Sequence, residues 1–217
     1  HALMPSKNLH RRAAITDAAL KIFCDHYGAA ISKVDLFYYI YGILHSEEYR
    51  SKFAANLTKE LPRIPFAQSE NDFWRFSLTG RKLAEIHVDY EIIPPEPTVT
   101  ITIKPNAPTA PKILYRVTRM EPDKKDRSRI AYNDYITVEN IPLAAYDYIV
   151  NGKSAIAWVM DFQGVWTHKP SQITNDANDY ANETVGDPRY PLDLLLRVVS
   201  VSLQTLELVR GLPKLGL

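Results

Sequence analysis

The residues most suggestive of chemistry are Asn151-Gly152-Lys153-Ser154, which read like the end of a phosphate-binding P-loop. A P-loop also needs an earlier glycine, near position 147, and Asp147 stands there instead. The sequence therefore predicts a turn that leads into a helix, with Gly152 at positive φ and Ser154 capping the helix. Lys153, beside that helix N-terminus, is a candidate phosphate contact, and a solvated turn is the alternative.

The other reactive side chains do not have the spacing of a catalytic or metal-binding site. Six histidines are scattered along the chain, and no pair has the helical spacing of metal ligands. Cys24 stands beside Asp25 and His26, but neighbours in sequence do not face one another on a helix. A single cysteine excludes an internal disulfide and agrees with a cytoplasmic localisation. These observations favour a binding or assembly module over an enzyme.

The composition predicts an ordinary globular protein with a proper core. The chain has 217 residues, of which 46% are hydrophobic and 24% charged, and its formal net charge is +1. The most apolar run, residues 34–44, is well short of the ~20 residues that span a bilayer, so we expect no membrane partner. The small net charge gives no sign of a nucleic-acid partner, and evidence for one must come from local clustering.

The first third of the chain is predicted to be helical. Ser32 and Asp35 have the spacing of a capping box. The helix that follows runs to Leu44 and is apolar nearly all round, which predicts burial on most sides. Ser46 is the predicted N-cap of a second helix, which should end before Pro62.

A third helix is predicted to start at Ser69 or Asn71. Its apolar face holds Phe73, Phe76, Gly80, Leu83 and Ile86. Glycine inside a helix costs ~1 kcal/mol relative to alanine, so Gly80 predicts the close approach of another helix. Gly42, in the first of these helices, predicts that a neighbouring element comes close. The tyrosines of that helix are assigned to core packing, with stacking on DNA as the alternative: Tyr38, Tyr39 and Tyr41.

The character of the chain changes at Pro94. Six prolines between positions 94 and 111 bracket Thr98–Lys104, whose alternation predicts a short half-buried strand within an insertion. Further strands are predicted at Ile113–Met120, Arg129–Tyr132 and Tyr135–Val138, with Asn133-Asp134 as a turn.

The predicted fold class is α+β, with a helical N-terminal lobe, a mixed middle containing a strand–turn–helix unit, and a long C-terminal helix. An apolar stripe from Leu192 to Leu206 indicates that last helix, and Gly211 and Pro213 supply its stop. We expect one compact domain with four stretches: a flanking segment 1–15, a helical lobe 16–90, a proline-rich insertion or connection 91–112, and an α+β lobe 113–217.

Three stretches resemble the C-terminal specificity region of Type ISP restriction–modification enzymes, which are ATP-dependent single polypeptides. They read YYIYGILHSEEYRSKFAANLTKELPRIPF (residues 38–66), IPLAAYDYIVNGKSAIAWVMDFQGV (residues 141–165) and PRYPLDLLLRVVSVSLQTLELVRGLP (residues 188–213). They keep the family's order and rough spacing, and the resemblance covers about residues 16–213. The second stretch also resembles target-recognition regions of single-chain adenine methyltransferase–nucleases.

The resemblance implies that the α+β lobe reads a short asymmetric sequence in double-stranded DNA. It would present that site to the adenine methyltransferase domain of the same polypeptide. The parent enzyme would be a restriction endonuclease and methyltransferase that uses S-adenosylmethionine, ATP and Mg²⁺. This chain has neither an Asn-Pro-Pro-Tyr type motif nor a Gly-rich cofactor loop, so we expect no cofactor and no catalytic step in the chain itself.

The best DNA-facing candidate is the segment from Lys112 to Ile130. Seven basic residues face three acidic ones, which makes a local charge of +4 in a chain of +1. Arginine can contact guanine in the major groove, while lysine mainly neutralises phosphate. The candidate DNA-binding residues are Arg116, Arg119, Lys124, Lys125, Arg127 and Arg129, with Lys153 and Lys169 outside the segment. The alternative is a solvated hairpin tip.

Three further residues or segments have a possible role in recognition or packing. Asn133 has the side chain that pairs with adenine, although the turn role is favoured. A loop predicted from Thr167 to Asp179 carries groups able to reach base edges: His168, Lys169, Gln172, Asn175 and Asn178. Trp158 is predicted to be a core anchor.

A second interpretation is a protein-interaction scaffold. The apolar helices at 34–44 and 192–206 would then dock onto the methyltransferase or helicase, with only marginal contact to DNA. A large exposed apolar surface would favour this interpretation. An independent small hydrolase has almost no support among the residues.

Overall fold

The computed structural model describes residues 13–28 and 30–217. The chain forms two compact units: the described residues up to Ala84 with Gly211–Leu217, and Glu85–Arg210. The predicted flanking segment 1–15 lies outside the described residues except for 13–15. Both helices and small antiparallel sheets are present, which confirms the α+β class.

The first unit is helical, and three of its helices begin at serine caps that the sequence predicts. Its helices are α1 (Asp17–Tyr27), α2 (Lys33–His45), α3 (Glu47–Lys52), α4 (Ala54–Leu57) and most of α5 (Glu70–Val88). The capping box of α2 is complete, because Ser32 Oγ accepts from Asp35 N at 3.2 Å and Asp35 Oδ2 accepts from Ser32 N at 3.1 Å. Ser46 caps α3 and Ser69 precedes α5, whose Asp72 N donates to Ser69 Oγ.

Two glycines bring α2 and α5 together. A Cβ built on Gly80 would overlap the carbonyl oxygen of Tyr38, and one built on Gly42 would overlap that of Phe76. The predicted close approach is therefore confirmed. The predicted burial of α2 on most sides holds for most of residues 34–44, which are buried or half-buried against α1 and α5. Val34 and Phe37 are the exceptions, because their side chains are exposed.

Tyrosines in the core of the first unit hold a segment without regular secondary structure, residues 61–67. Three hydroxyls donate to its backbone carbonyls: Tyr27 to Ala67 (3.1 Å), Tyr39 to Pro65 (2.7 Å) and Tyr49 to Arg63 (2.8 Å). Tyr39 and Tyr49 are buried, so their rings pack while their hydroxyls stay satisfied. Burial raises the pKa of Tyr39. Core packing is confirmed for Tyr39, while Tyr38 and Tyr41 are only half-buried.

The second unit contains a four-stranded antiparallel sheet in the order β1-β4-β3-β2. Its strands are β1 (Thr100–Ile103), β2 (Glu121–Pro122), β3 (Ile130–Ala131) and β4 (Ile136–Glu139). Val138 of β4 pairs with Ile101 on one side and Ile130 on the other. The predicted proline-bracketed strand is therefore an edge of this sheet, and the predicted Asn133-Asp134 turn joins β3 to β4.

The strand predicted at Ile113–Met120 is wrong. Its first residues belong to a short helix, α6 (Pro111–Leu114), with Pro111 at the first helical position. Proline suits that position because its missing N–H would have no partner there anyway. The residues that follow do not pair with a neighbouring strand in the described sheets.

Two hairpins, three α-helices, a 3-10 helix (Leu143–Asp147) and a π-helix (Tyr180–Val185) complete the described second unit. The hairpins and α-helices are β5 (Ile149–Val150), β6 (Lys153–Ser154), α7 (Ala155–Phe162), β7 (Val165–His168), β8 (Ile173–Asp176), α8 (Ala177–Asp179) and α9 (Tyr190–Arg210). Asn151 and Gly152 have positive φ in the β5–β6 turn, and Ser154 Oγ accepts from Ala157 N at the start of α7. The predicted strand–turn–helix unit is confirmed, and its glycine belongs to a hairpin.

The long helix α9 supplies much of the core of the second unit. It ends at Arg210, before the predicted stop at Gly211 and Pro213. Its buried face includes Leu192, Leu195 and Val199, which belong to one cluster with side chains of α7 and of the sheet: Ile156, Val159, Ile130, Ile136 and Val138. Among the described residues no helix has the length and apolar character needed to cross a membrane.

We predict that Gly80→Ala lowers the free energy of unfolding by about 2 kcal/mol, because overpacking against the backbone of α2 outweighs the better helix propensity of alanine. Denaturant unfolding followed by circular dichroism measures the effect. Lys82→Ala, at an exposed position of the same helix, should stay within about 0.5 kcal/mol of the parent. Equal stability of the two variants would contradict the close approach of α2 and α5.

Candidate DNA-recognition surface

Only the last part of the predicted basic segment, residues 123–129, forms the tip of a hairpin between β2 and β3. Lys112 lies in α6, and Arg116 and Arg119 precede β2. The acidic residues of this tip are engaged by its own backbone. Asp123 Oδ1 accepts from Lys125 N at 2.7 Å, and Asp126 Oδ1 accepts from Ser128 Oγ at 2.7 Å. The backbone N–H of Lys125 holds the pKa of Asp123 below its ordinary value, and the Ser128 hydroxyl does the same for the pKa of Asp126. These carboxylates shape the turn, and the lysine side chains of the tip extend into solvent.

The arginines of the segment differ in how fully their charge is matched. Arg116 contacts Asp176 at 2.7 Å and Arg129 contacts Glu139 at 2.6 Å. Arg119 is 3.4 Å from Glu121, and its side chain is 79% exposed. Because exposed ion pairs are weak, Arg119 can exchange its partner for a ligand at little cost.

Three other cations of the tip have no ion-pair partner in the part of the chain that the structure describes: Lys124, Lys125 and Arg127. The guanidinium of Arg127 lies 4.9 Å from the centre of the Tyr146 ring. Tyr146 is buried, and its hydroxyl has no hydrogen-bond partner among the described residues. Burial raises the pKa of this hydroxyl. The ring therefore offers a fixed support that limits the positions of an exposed arginine.

An open concavity of about 370 Å³ lies beside the arginines. It is lined by Arg116, Thr118, Arg119, Glu121, Ala131, Asn133, Asp134 and Tyr135. Asn133 has no amide group left for a ligand, because it donates to the carbonyls of Leu114 and Arg116 and accepts from two backbone N–H groups. The turn role favoured for Asn133 is thus its observed role.

Lys153 lies on the separate β5–β6 hairpin. Its Nζ contacts Asp161 at 2.6 Å and lies 5.0 Å from the centre of the Trp158 ring. Trp158 was predicted to be a core anchor, and this is wrong. It is half-buried and stacks on Phe162, and its Nε1 donates to Val150 O. Only one face of α7 packs against the core, and the indole of Trp158 lies outside that face.

The loop predicted from Thr167 to Asp179 is wrong, because this segment is the β7–β8 hairpin followed by α8. Lys169 lies in the hairpin turn, where it forms no ion pair with any described residue. Asn178, predicted as a possible base contact, is buried. Its Oδ1 accepts from Val117 N at 2.9 Å and its Nδ2 donates to Val117 O at 2.8 Å. Polar composition indicated a loop, and only the cross-strand pairing shows the hairpin.

Asp176 connects Asn178 to the basic segment. Burial alone would raise the pKa of Asp176, but hydrogen bonds from Asn178 and Arg116 keep that pKa below its ordinary value. Asp176, Tyr146 and Glu121 are site residues that the sequence did not single out. Two of them could have been noticed from their position in the sequence. Tyr146 lies in the second family-like stretch, and Glu121 is one of the acidic residues within the basic segment.

The described residues contain no group of three or more histidine, cysteine, aspartate or glutamate side chains that could hold a metal ion. The arrangement places cationic side chains beside an open concavity whose lining includes polar groups. It is suited to binding a polyanion with an irregular polar surface.

We predict that Asn178→Ala lowers the free energy of unfolding by about 2–4 kcal/mol, because it leaves the N–H and C=O of Val117 buried without partners. Asn175→Ala, on the preceding strand β8, is the matched control. Asn175 is exposed and forms no side-chain hydrogen bond with a described residue, so its replacement should change stability by less than about 0.5 kcal/mol. If thermal and denaturant unfolding give the same stability for both variants, Asn178 does not hold this segment.

Comparison with known proteins agrees with the three sequence blocks. Residues 2–194 match the family described as the Type ISP C-terminal specificity domain. No curated protein matches the chain.

Three solved structures are similar. A nuclease-deletion mutant of the Type ISP restriction-modification enzyme LlaGI, in complex with a DNA substrate mimic, has 42% identity and a TM-score of 0.72 over 85% of this chain. The ATP-dependent Type ISP restriction-modification enzyme LlaBIII, bound to DNA, has 35% identity and a TM-score of 0.78 over 93% of it. A DrdV–DNA complex has 32% identity and a TM-score of 0.74 over 91% of it.

The aligned part is a small share of each of these proteins: 16% of the LlaGI chain, 12% of LlaBIII and 19% of DrdV. The predicted resemblance is confirmed over more of the sequence than the three blocks. The chain belongs to the Type ISP C-terminal specificity domain family.

Proposed function

We propose that the chain recognises a specific sequence in double-stranded DNA for a larger restriction–modification enzyme. The observation that carries this proposal is the concavity lined by Arg119. A few residues further along the chain, the β2–β3 tip carries cations that form no ion pair with a described residue. The similar LlaGI, LlaBIII and DrdV structures are all complexes with DNA or a DNA mimic, which supports the same function here.

The candidate residues divide by how available their charge is. Arg119 is the leading candidate for contact with a base, because its side chain is exposed and weakly paired. Lys124, Lys125 and Arg127 are candidates for phosphate contact. Arg116 and Arg129 already hold carboxylates, so we assign them mainly to positioning. Lys153 and Lys169 are secondary candidates on other hairpins.

In this proposal the chain presents the bound site to the adenine methyltransferase of the same polypeptide. S-adenosylmethionine, ATP and Mg²⁺ then act in other parts of the parent enzyme, and this chain contributes recognition and no chemical step. The proposal places the action of this enzyme in the cytoplasm.

A protein-docking role for the first unit is a second candidate. The observation that favours it is the outer face of α2, where Val34 and Phe37 are exposed, together with Leu61, which is 90% exposed. Of the two helices suggested for docking, α9 is largely buried in the core of its own unit. This candidate concerns a different surface and is compatible with DNA recognition by the second unit.

We predict that the chain binds duplex DNA with an affinity that falls steeply with salt, because cations at the tip displace counterions from phosphates. Selection from a random duplex pool followed by fluorescence anisotropy measures both the preferred sequence and the affinity. Arg119→Ala should weaken binding to the selected duplex about tenfold or more and relax the preference at one position.

The matched control is Arg50→Ala, at an exposed arginine of the first unit that forms no ion pair with a described residue. Its affinity should equal that of the parent. Failure of the chain to bind any duplex in a salt-sensitive way, alone and when joined to its methyltransferase, would refute the proposed function.

We further predict that Tyr146 holds Arg127 for DNA binding. Tyr146→Leu should weaken binding about 2–5-fold, the range of an exposed cation–π contact, while Tyr146→Phe should bind like the parent because it keeps the ring. In the Arg127→Ala background, Tyr146→Leu should cause no further loss. Anisotropy titrations of the four combinations give the coupling, and fully additive effects would show that the two residues act independently.

A further inference from the structure

A group of aromatic side chains lies at the surface of the second unit, next to the proposed DNA-facing concavity. Phe162, at the end of α7, is 52% exposed, and Trp166, on β7, is 38% exposed. Phe162 stacks on Trp158 at 5.6 Å between ring centres and meets Trp166 edge-on at 6.2 Å. Phe162 and Trp166 therefore leave large aromatic surface in water, although such surface is among the most favourable to bury.

The β7–β8 hairpin places a free amide beside Trp166. Trp166 pairs directly with Asn175 across the two strands. Directly opposed residues project from the same face of a sheet, with Cβ atoms about 5 Å apart. Asn175 is exposed, and within residues 13–28 and 30–217 its side chain has no hydrogen-bond partner. One face of this hairpin thus offers an aromatic ring with a free donor and acceptor next to it.

Trp166 also forms a wall of a second concavity, of about 480 Å³. The lining mixes polar and apolar groups: Thr118, Arg119, Met120, Pro122, Met160, Asp161, Gly164, Val165 and Trp166. Thr118 and Arg119 line the first concavity as well. The two concavities therefore meet at Arg119, so a ligand that contacts this guanidinium can extend from one into the other.

We propose that the face of the β7–β8 hairpin that carries Trp166 and Asn175 binds a nucleobase that has left the base stack. A nucleobase has flat apolar faces and a polar edge with donors and acceptors. The ring of Trp166 can stack on a flat face of the base, and the amide of Asn175 can form hydrogen bonds with its polar edge. Arg119, which lines both concavities, connects this face to the proposed duplex-binding surface. The proposal rests on the proposed function, since it needs DNA on the adjacent surface.

A paired duplex does not suit this face, because the bases of a paired duplex present only their edges in the grooves. The flat surface of a base becomes available to Trp166 only when the base is extrahelical or belongs to a single strand. Both sources offer the same chemistry. A protein partner would use the apolar rings but would not require a free amide beside them.

The test compares three DNA probes of one sequence: a paired duplex, the same duplex with a single bulged adenine, and the single strand. The full chain should bind at least one unpaired probe more tightly than the duplex. Trp166→Ala should remove that advantage, a loss of about tenfold for a stacked base, and Trp166→Phe should keep most of it. Asn175→Ala should reduce the advantage without changing affinity for the paired duplex.

Two further measurements make the result specific. Emission of 2-aminopurine placed at the bulge should change on binding to the parent and not to Trp166→Ala, because the change reports stacking on the ring. Ile173→Ala is the matched control: it removes an exposed apolar side chain from the same hairpin and should leave all three affinities unchanged. Thermal unfolding confirms that each variant is folded.

The outcomes separate this inference from the proposed function. If none of the probes binds in a salt-sensitive way, the proposed function fails. If the paired duplex binds but the unpaired probes gain nothing, or Trp166→Ala weakens all three equally, only the nucleobase site is refuted. If Trp166→Ala leaves every DNA affinity unchanged but weakens association with the methyltransferase part of the polypeptide, the face is a protein contact and the inference is also refuted.

Discussion

The amide of Asn178 satisfies both backbone groups of Val117, and the candidate recognition surface depends on this pair of hydrogen bonds. The segment from Arg116 to Met120 belongs to no regular strand, so its backbone polar groups need other partners once Val117 is buried. Asn178 supplies them at Val117, and Val165 N supplies one at Thr118 O. This anchoring holds the backbone between Arg116 and Arg119, whose side chains are exposed to a ligand.

The same region shows how a nearly neutral chain can carry a cationic surface. The net charge of +1 hides an uneven distribution. Some carboxylates neutralise the arginines of the scaffold, as Asp176 does for Arg116. Others, such as Asp123 and Asp126, accept backbone hydrogen bonds and shape the tip. The lysines at that tip form no ion pair with a described residue, so the local field is more positive than the composition suggests.

The aromatic residues of the chain have two physical roles. In the first unit the tyrosines pack in the core and use their hydroxyls to hold residues 61–67. In the second unit, Phe162 and Trp166 stay at the surface because α7 and the β7–β8 hairpin each turn a different face to the core. Composition cannot distinguish the two cases, since both depend on which side of an element meets its neighbours.

The sequence by itself determined the family and the α+β class. It also determined where the main helices begin, because caps act through neighbouring residues: the Ser32–Asp35 box and Ser46 are examples. Gly42 and Gly80 even predicted a long-range contact, since a mid-helix glycine costs stability unless something approaches it closely. Only the tertiary structure decided which polar residues are scaffold and which are free. Asn178 and Asn175 stand three positions apart in one polar stretch, yet one is buried against Val117 and the other is exposed beside Trp166. The difference arises from pairing between distant segments, and no local pattern of residues encodes that.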